Sequence, residues 1–165
     1  MSISDSVLPE LEREMAGTRK TLERIPDDKL TWKPHPKSQT LGRLATHLAE
    51  LAGFAERALT SESLDVRPNG TAMPTQQLAS RDAILELFDR NVAAGKAAIA
   101  ATDDAGWDVP WTLLVNGQKL FTAPRSAVMR TSVISHSIHH RAQLGVYLRL
   151  NDVAVPALYG PTADE

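Results

Sequence analysis

The chain contains no cysteine. That absence excludes disulfides, cysteine-rich zinc sites and a protein-borne thiol nucleophile, and it removes the usual sequence clue to redox compartment. A surplus of basic charge is missing too: 18 Lys and Arg against 20 Asp and Glu leave a formal net charge of -2. Nothing therefore marks the chain as a dedicated nucleic-acid binder, which needs cations to neutralise phosphates. No segment approaches the ~18 consecutive apolar residues of a membrane span. The start, Met1-Ser2-Ile3-Ser4-Asp5-Ser6, lacks the basic and apolar regions of a secretory signal. A soluble, cytoplasmic protein with neither nucleic-acid nor membrane partners is the expectation. Several catalytic signatures are also missing: His-Glu-x-x-His, the Glu-x-x-His pairs of carboxylate-bridged di-iron bundles, Gly-x-Ser-x-Gly and a phosphate-cradling glycine loop.

What is present is ordinary globular material, 42% hydrophobic and 23% charged over 165 residues. That is enough for a buried core and about the size of one domain, 1–165. Helical periodicity dominates. Leu8, Leu11, Met15, Thr18, Leu22 and Ile25 form one stripe that ends at Pro26, with Ser6 as expected N-cap and Pro9 in the first turn. A second helix is predicted over about 40–59, capped by Ser38 and buried along Leu41, Leu44, Leu48, Leu51, Ala55 and Ala58. Residues 60–79 read as a long connection because of Pro68, Asn69-Gly70 and Pro74. A third helix fits roughly 81–102 behind Ser80, with Ile84, Leu85, Phe88, Val92 and Ile99 inward and Ala93, Ala94, Ala97 and Ala98 permitting close helix approach.

Between Trp107 and Thr122 the pattern changes to two short strands around Asn116-Gly117, a β-hairpin with a type I′ turn. Pro124 then opens a last helix to about residue 150, with Met129, Val133, His136, His140, Leu144 and Tyr147 inward and an extended tail from Asn151. The expected fold is all-α: a four-helix bundle with one long crossover and a small hairpin before the last helix.

His136 and His140 lie four apart on that helix, so both imidazoles project from one face about a turn apart. His47 sits between Leu44 and Leu51 on the second helix and is expected to point inward or along the core edge. Together the three would make a site with a coordination position left open, as catalytic zinc sites have. Neutral imidazole suits zinc, nickel, iron or copper. His139 also pairs with His136 at i,i+3, and Glu50, three residues after His47, could be ligand, hydrogen-bond acceptor or catalytic base. His35, between two prolines, is given no role. Ser132, Ser135 and Ser137 show no triad order and read as polar helix positions.

Three segments resemble the DinB-like (YfiT-like) family of bacterial four-helix bundles. They are Trp32-Lys33-Pro34 through Thr40-Leu41-Gly42-Arg43-Leu44-Ala45-Thr46-His47-Leu48-Ala49-Glu50-Leu51, then His136-Ser137-Ile138-His139-His140-Arg141-Ala142-Gln143, then Val155-Pro156-Ala157-Leu158-Tyr159-Gly160-Pro161. The resemblance implies metal ligands at His47, His136 and His140, with His139 outside them and a divalent ion such as zinc or nickel as cofactor. Gln143 would face the site behind the ligands, and Arg141 would turn elsewhere. Similar bundles include transferases that use a low-molecular-weight thiol and mycothiol-dependent maleylpyruvate isomerases, so the implied chemistry is thiol transfer to an electrophilic small molecule. The alternatives are a hydrolase in which the metal ionises water with Glu50 accepting the proton, and a noncatalytic metal- or ligand-binding stress protein. Pairing as a homodimer is a further expectation from the resemblance.

Overall fold

The computed structural model describes residues 2–165. Three long helices, α1 (Ile3–Glu23), α2 (Leu41–Thr60) and α3 (Arg81–Ala101), pack with a final helical run. A short α4 (Asp104–Asp108) follows α3. The final run is α5 (Arg125–Val128), a π-helical segment (Met129–Ser135) and α6 (His136–Arg149). The expected bundle is present, mostly helical, with a sheet of three strands rather than two.

Helix α1 begins a turn earlier than the apolar stripe suggests, because Ser2 and Asp5 form a reciprocal capping box. Asp5 N–H donates to Ser2 Oγ at 3.1 Å and Ser2 N–H to Asp5 Oδ2 at 2.7 Å. The expected cap Ser6 instead donates to the Ile3 carbonyl, and Pro9 falls inside the helix. Val7 takes the buried position and Leu8 is half-buried. In α2 the cap is Thr40, whose Oγ1 accepts from Arg43 N–H at 3.1 Å, not Ser38. All six residues of its predicted stripe are buried.

The long connection contains a strand the turn residues conceal. β1 (Ser63–Asp65) pairs parallel with β2 (Pro110–Val115), which pairs antiparallel with β3 (Gln118–Pro124). The hairpin turn has both residues at positive φ, Asn116 at 54° and Gly117 at 72°, as a type I′ turn requires. The Asp65 carboxylate accepts from Asn116 and Gly117 N–H at 3.0 and 2.7 Å, which ties the turn to the neighbouring strand. Pro124 closes β3 and caps α5. A small second core of Trp111, Ala58 and Val128 joins the sheet to the helices.

Close approach of α2 and α3 depends on a glycine as well as on alanines. A Cβ on Gly95 would lie 2.9 Å from Ala55 Cβ and 3.3 Å from the Ala52 carbonyl; of the four alanines, Ala94 and Ala98 are half-buried, with Ala98 packed on the core, and Ala93 and Ala97 are exposed. Gly95→Ala is therefore expected to destabilise the protein by about 1–3 kcal/mol through overpacking, even though alanine returns up to about 1 kcal/mol of helix propensity. Urea unfolding reads this directly. An unchanged or raised midpoint would mean that the two helices separate without cost.

Candidate metal centre

Helix α2 carries His47, and the last helix carries His136 and His140 at its start. The π-helical segment runs directly into His136; such insertions displace backbone carbonyls from the regular ladder and recur at functional sites. The three side chains are half-buried, and one donor nitrogen from each lies within 4.8 Å of the other two. Ring centroids are 5.4 Å apart for His47 and His136, 4.8 Å for His47 and His140, and 4.7 Å for His136 and His140.

Polar groups sit beside two of the rings. His140 Nδ1 donates to Gln143 Oε1 at 2.8 Å. His47 Nδ1 lies 3.5 Å from Glu50 Oε2. The Nε2 atoms of His136 and His140 are 2.9 Å apart, a spacing that serves either a hydrogen bond from one ring to the other or two lone pairs turned to a shared cation. Nitrogens on a tetrahedral zinc ion sit roughly 3.3 Å apart, and the donor spacings here, from 2.9 Å upward and within 4.8 Å, bracket that value. The donor set fits a divalent ion, which His47, His136 and His140 would hold, with Glu50 beside His47 and Gln143 bonded to His140.

Electrostatics favour unprotonated ligands. Burial pushes the His136 imidazole down to about 4, and the neighbouring His140 and His47 charges push the same way. His140 is lowered as well, by burial and by His47 and His139, against the hydrogen bond to Gln143. The Glu50 carboxyl is raised by burial, but bonds from His47 and Arg43 and the Arg43 charge outweigh it and hold it below the usual carboxylate range.

For His136 the unfolded chain takes up its proton first, near 6.5. Its contribution to stability is thus present above that pH and is lost as pH falls through about 4. In metal-free protein the His136 ring carbon protons are expected to titrate by NMR with a midpoint near 4, and a midpoint above 6 would mean that the site is open to water.

The remaining sequence candidates separate clearly. His139 is exposed and accepts from Gln143 Nε2 at 3.1 Å, outside the cluster. His35 is exposed, and its Nδ1 accepts from Lys37 N–H. Ser137 is buried, and its Oγ has no hydrogen-bond partner among the described residues. Arg141 turns to the opposite side of α6, where it meets Glu14. One contributor is absent from the sequence reading: Arg43, four residues before His47, shares its helix face, and its spacing is the signal that could have found it.

A model of the DinB superfamily matches residues 10–144. The Bacillus subtilis (strain 168) protein YrdA, itself uncharacterized, is 27% identical over 163 residues, which span 98% of this chain and 90% of YrdA. Among solved structures, a DinB-like protein from Bacillus cereus ATCC 10987 superposes with a TM-score of 0.72 at 23% identity, over 96% of this chain and 98% of that one. The DinB-like protein YjoA from Bacillus subtilis gives 0.71 at 15% identity, over 94% and 99%. At those identities the two structures speak for the fold alone. The match to the family model spans most of the length, and the chain belongs to the DinB superfamily.

Proposed function

We propose that the protein is a metal-dependent enzyme that activates a low-molecular-weight thiol for transfer to an electrophilic small molecule. The observation that carries the metal part is the convergence of one nitrogen from each of His47, His136 and His140 within 4.8 Å, the last two 2.9 Å apart. Zinc and nickel both suit three imidazoles. When bound, such an ion supplies a Lewis acid that favours a thiolate over a thiol at neutral pH. The chain has no cysteine of its own, so a sulfur nucleophile has to come from a cosubstrate.

The residues then have distinct tasks. His47, His136 and His140 supply the lone pairs, and Gln143 keeps the proton of His140 on Nδ1. Glu50 orients His47. A carboxylate held below its usual range makes a poor proton acceptor at neutral pH, which favours the thiol route over a hydrolase that uses Glu50 as base.

In the proposed reaction a carbon–sulfur bond forms, the leaving group departs with its electron pair, and the thiol proton passes to solvent. With monochlorobimane as electrophile, chloride is the leaving group. Zinc- or nickel-loaded protein is expected to consume monochlorobimane in a thiol-dependent, saturable way that disappears in His140→Ala. Stoichiometric metal with every tested thiol reacting at the buffer rate would instead leave a noncatalytic metal-binding protein.

A further inference from the structure

We infer that Arg43 is a positioning residue for the metal centre, setting the orientation of His47 through Glu50. The inference rests on the metal reading of the three histidines and concerns residues behind them. Arg43, His47 and Glu50 recur at spacings of four and three along α2 and so share one face of the helix. An Arg43 guanidinium NH2 donates to Glu50 Oε2 at 2.8 Å, and the same oxygen lies 3.5 Å from His47 Nδ1.

The three histidines are not held alike. His136 has its Nε2 2.9 Å from that of His140 on the same helix. His140 is bonded at 2.8 Å to the amide of Gln143, one turn along the same helix. His47 depends on a glutamate whose side chain is one-third exposed, and the contact is the longer one. A glutamate on three rotatable bonds in partial contact with water spreads over several rotamers, at an entropic cost if it is to stay in one. Charge-assisted bonding to a guanidinium is the force that selects the rotamer facing His47.

Arg43 is itself restrained. Its side chain is only 18% exposed, and Glu50 is its one side-chain hydrogen-bond partner among the described residues. Guanidinium NH1 is buried without a hydrogen-bond partner among the described residues. Leaving a buried donor unpaired is unfavourable, so the position of the guanidinium is set by Glu50 and not by its own full satisfaction. Lysine would keep the charge but not the planar fork that fixes direction.

Two measurements on full-length protein test this. Zinc affinity is read by competition with a chromogenic chelator, and the His47 tautomer in metal-free protein by long-range 1H–15N NMR, a readout that a general loss of packing does not shift selectively. Wild type is expected to hold His47 with its proton on Nδ1. Arg43→Ala and the near-isosteric Arg43→Gln are expected to mix the His47 tautomers and raise the zinc Kd by about tenfold, the low end for groups behind metal ligands. Arg43→Lys should restore part of both, while the His136 and His140 tautomers stay put. Should Arg43→Ala fold poorly by circular dichroism, Arg43→Gln decides.

An unchanged His47 tautomer together with a Kd within twofold of wild type overturns the inference. A wild type that binds no zinc removes the metal reading by itself, and the tautomer of the Arg43 variants still decides the positioning role, retention of Nδ1–H overturning it.

Discussion

His140→Ala is expected to abolish stoichiometric metal binding. His140 is the common neighbour in the cluster, with its Nε2 2.9 Å from that of His136 and its ring 4.8 Å from that of His47. Without it two imidazoles remain on two different helices, and the chelate between adjacent turns of one helix is lost. Removal of a group behind a ligand already weakens metal binding about 10–100-fold, and loss of the ligand itself exceeds that. Elemental analysis by inductively coupled plasma mass spectrometry, after reconstitution with zinc or nickel and dialysis, should find about one equivalent in wild type and essentially none in His140→Ala or His47→Ala. His139→Ala, altered at an exposed ring outside the cluster, should retain the metal. Equal metal in His140→Ala and wild type would place any bound ion elsewhere, and none in wild type would leave the three histidines without that role.

The second large effect concerns stability and lies on the opposite side of α6. Arg141 and Glu14 are both 3% exposed and far apart in sequence. Arg141 NH2 donates to Glu14 Oε2 at 2.8 Å, and NH1 donates to the Glu14 backbone carbonyl at 2.8 Å and toward Thr18 Oγ1 at 3.4 Å. The Tyr159 hydroxyl, from the C-terminal tail, bonds both charged groups, and its ring lies under the guanidinium at 5.3 Å. Space for this comes from Gly17, where a Cβ would stand 2.9 Å from Arg141 NH1.

Removal of Glu14 leaves the Arg141 guanidinium buried without a counter-charge, and removal of Arg141 leaves Glu14 with only the exposed Arg13, at 3.2 Å, as a cation; breaking a buried pair costs about 3–5 kcal/mol, a large share of the roughly 5–15 kcal/mol that holds a domain folded. Arg141→Ala and Glu14→Ala are each expected to lower the urea midpoint strongly. The double variant Glu14→Leu/Arg141→Met should recover most of the loss, because apolar groups of similar volume replace a desolvated pair at little net cost. A double variant worse than both single ones would show that the bonds to Tyr159 and Thr18 matter more than the ion pair.

Acid should act through the same pair. Burial raises the Glu14 carboxyl, but bonds from Tyr159 and Arg141 outweigh it and hold its pKa below the ordinary value of 4.5. The contribution is therefore present above that value and is lost as pH falls through the lowered one.

Much of this architecture is written locally. The apolar stripe of α2, the turn at Asn116-Gly117 and the four-residue spacing of His136 and His140 are visible in the sequence because helix periodicity and turn conformation depend on neighbours a few residues apart. The start of α1 is equally local, since Ser2 and Asp5 form a capping box, although the apolar stripe points to Ser6. His47 joins the other two in the sequence as an inward-facing residue of another helix, and the family resemblance supports that grouping; periodicity alone places a residue on a face without saying which face of another helix it meets.

Other features were decided only by tertiary structure. β1 exists because Ser63–Asp65 finds β2 beyond α3 and because Asp65 ties down the hairpin turn. The buried charges of Glu14 and Arg141 contradict any local hydropathy rule, and they meet only because folding brings together residues 127 positions apart. The clustered histidines likewise gain an amide beside His140 and a carboxylate beside His47. By itself, then, the sequence determined the helices, the hairpin and the residue types at the site. Tertiary structure alone decided which polar groups could be buried, because desolvating a charge or a ring nitrogen is favourable only once folding has brought its partner within hydrogen-bond reach.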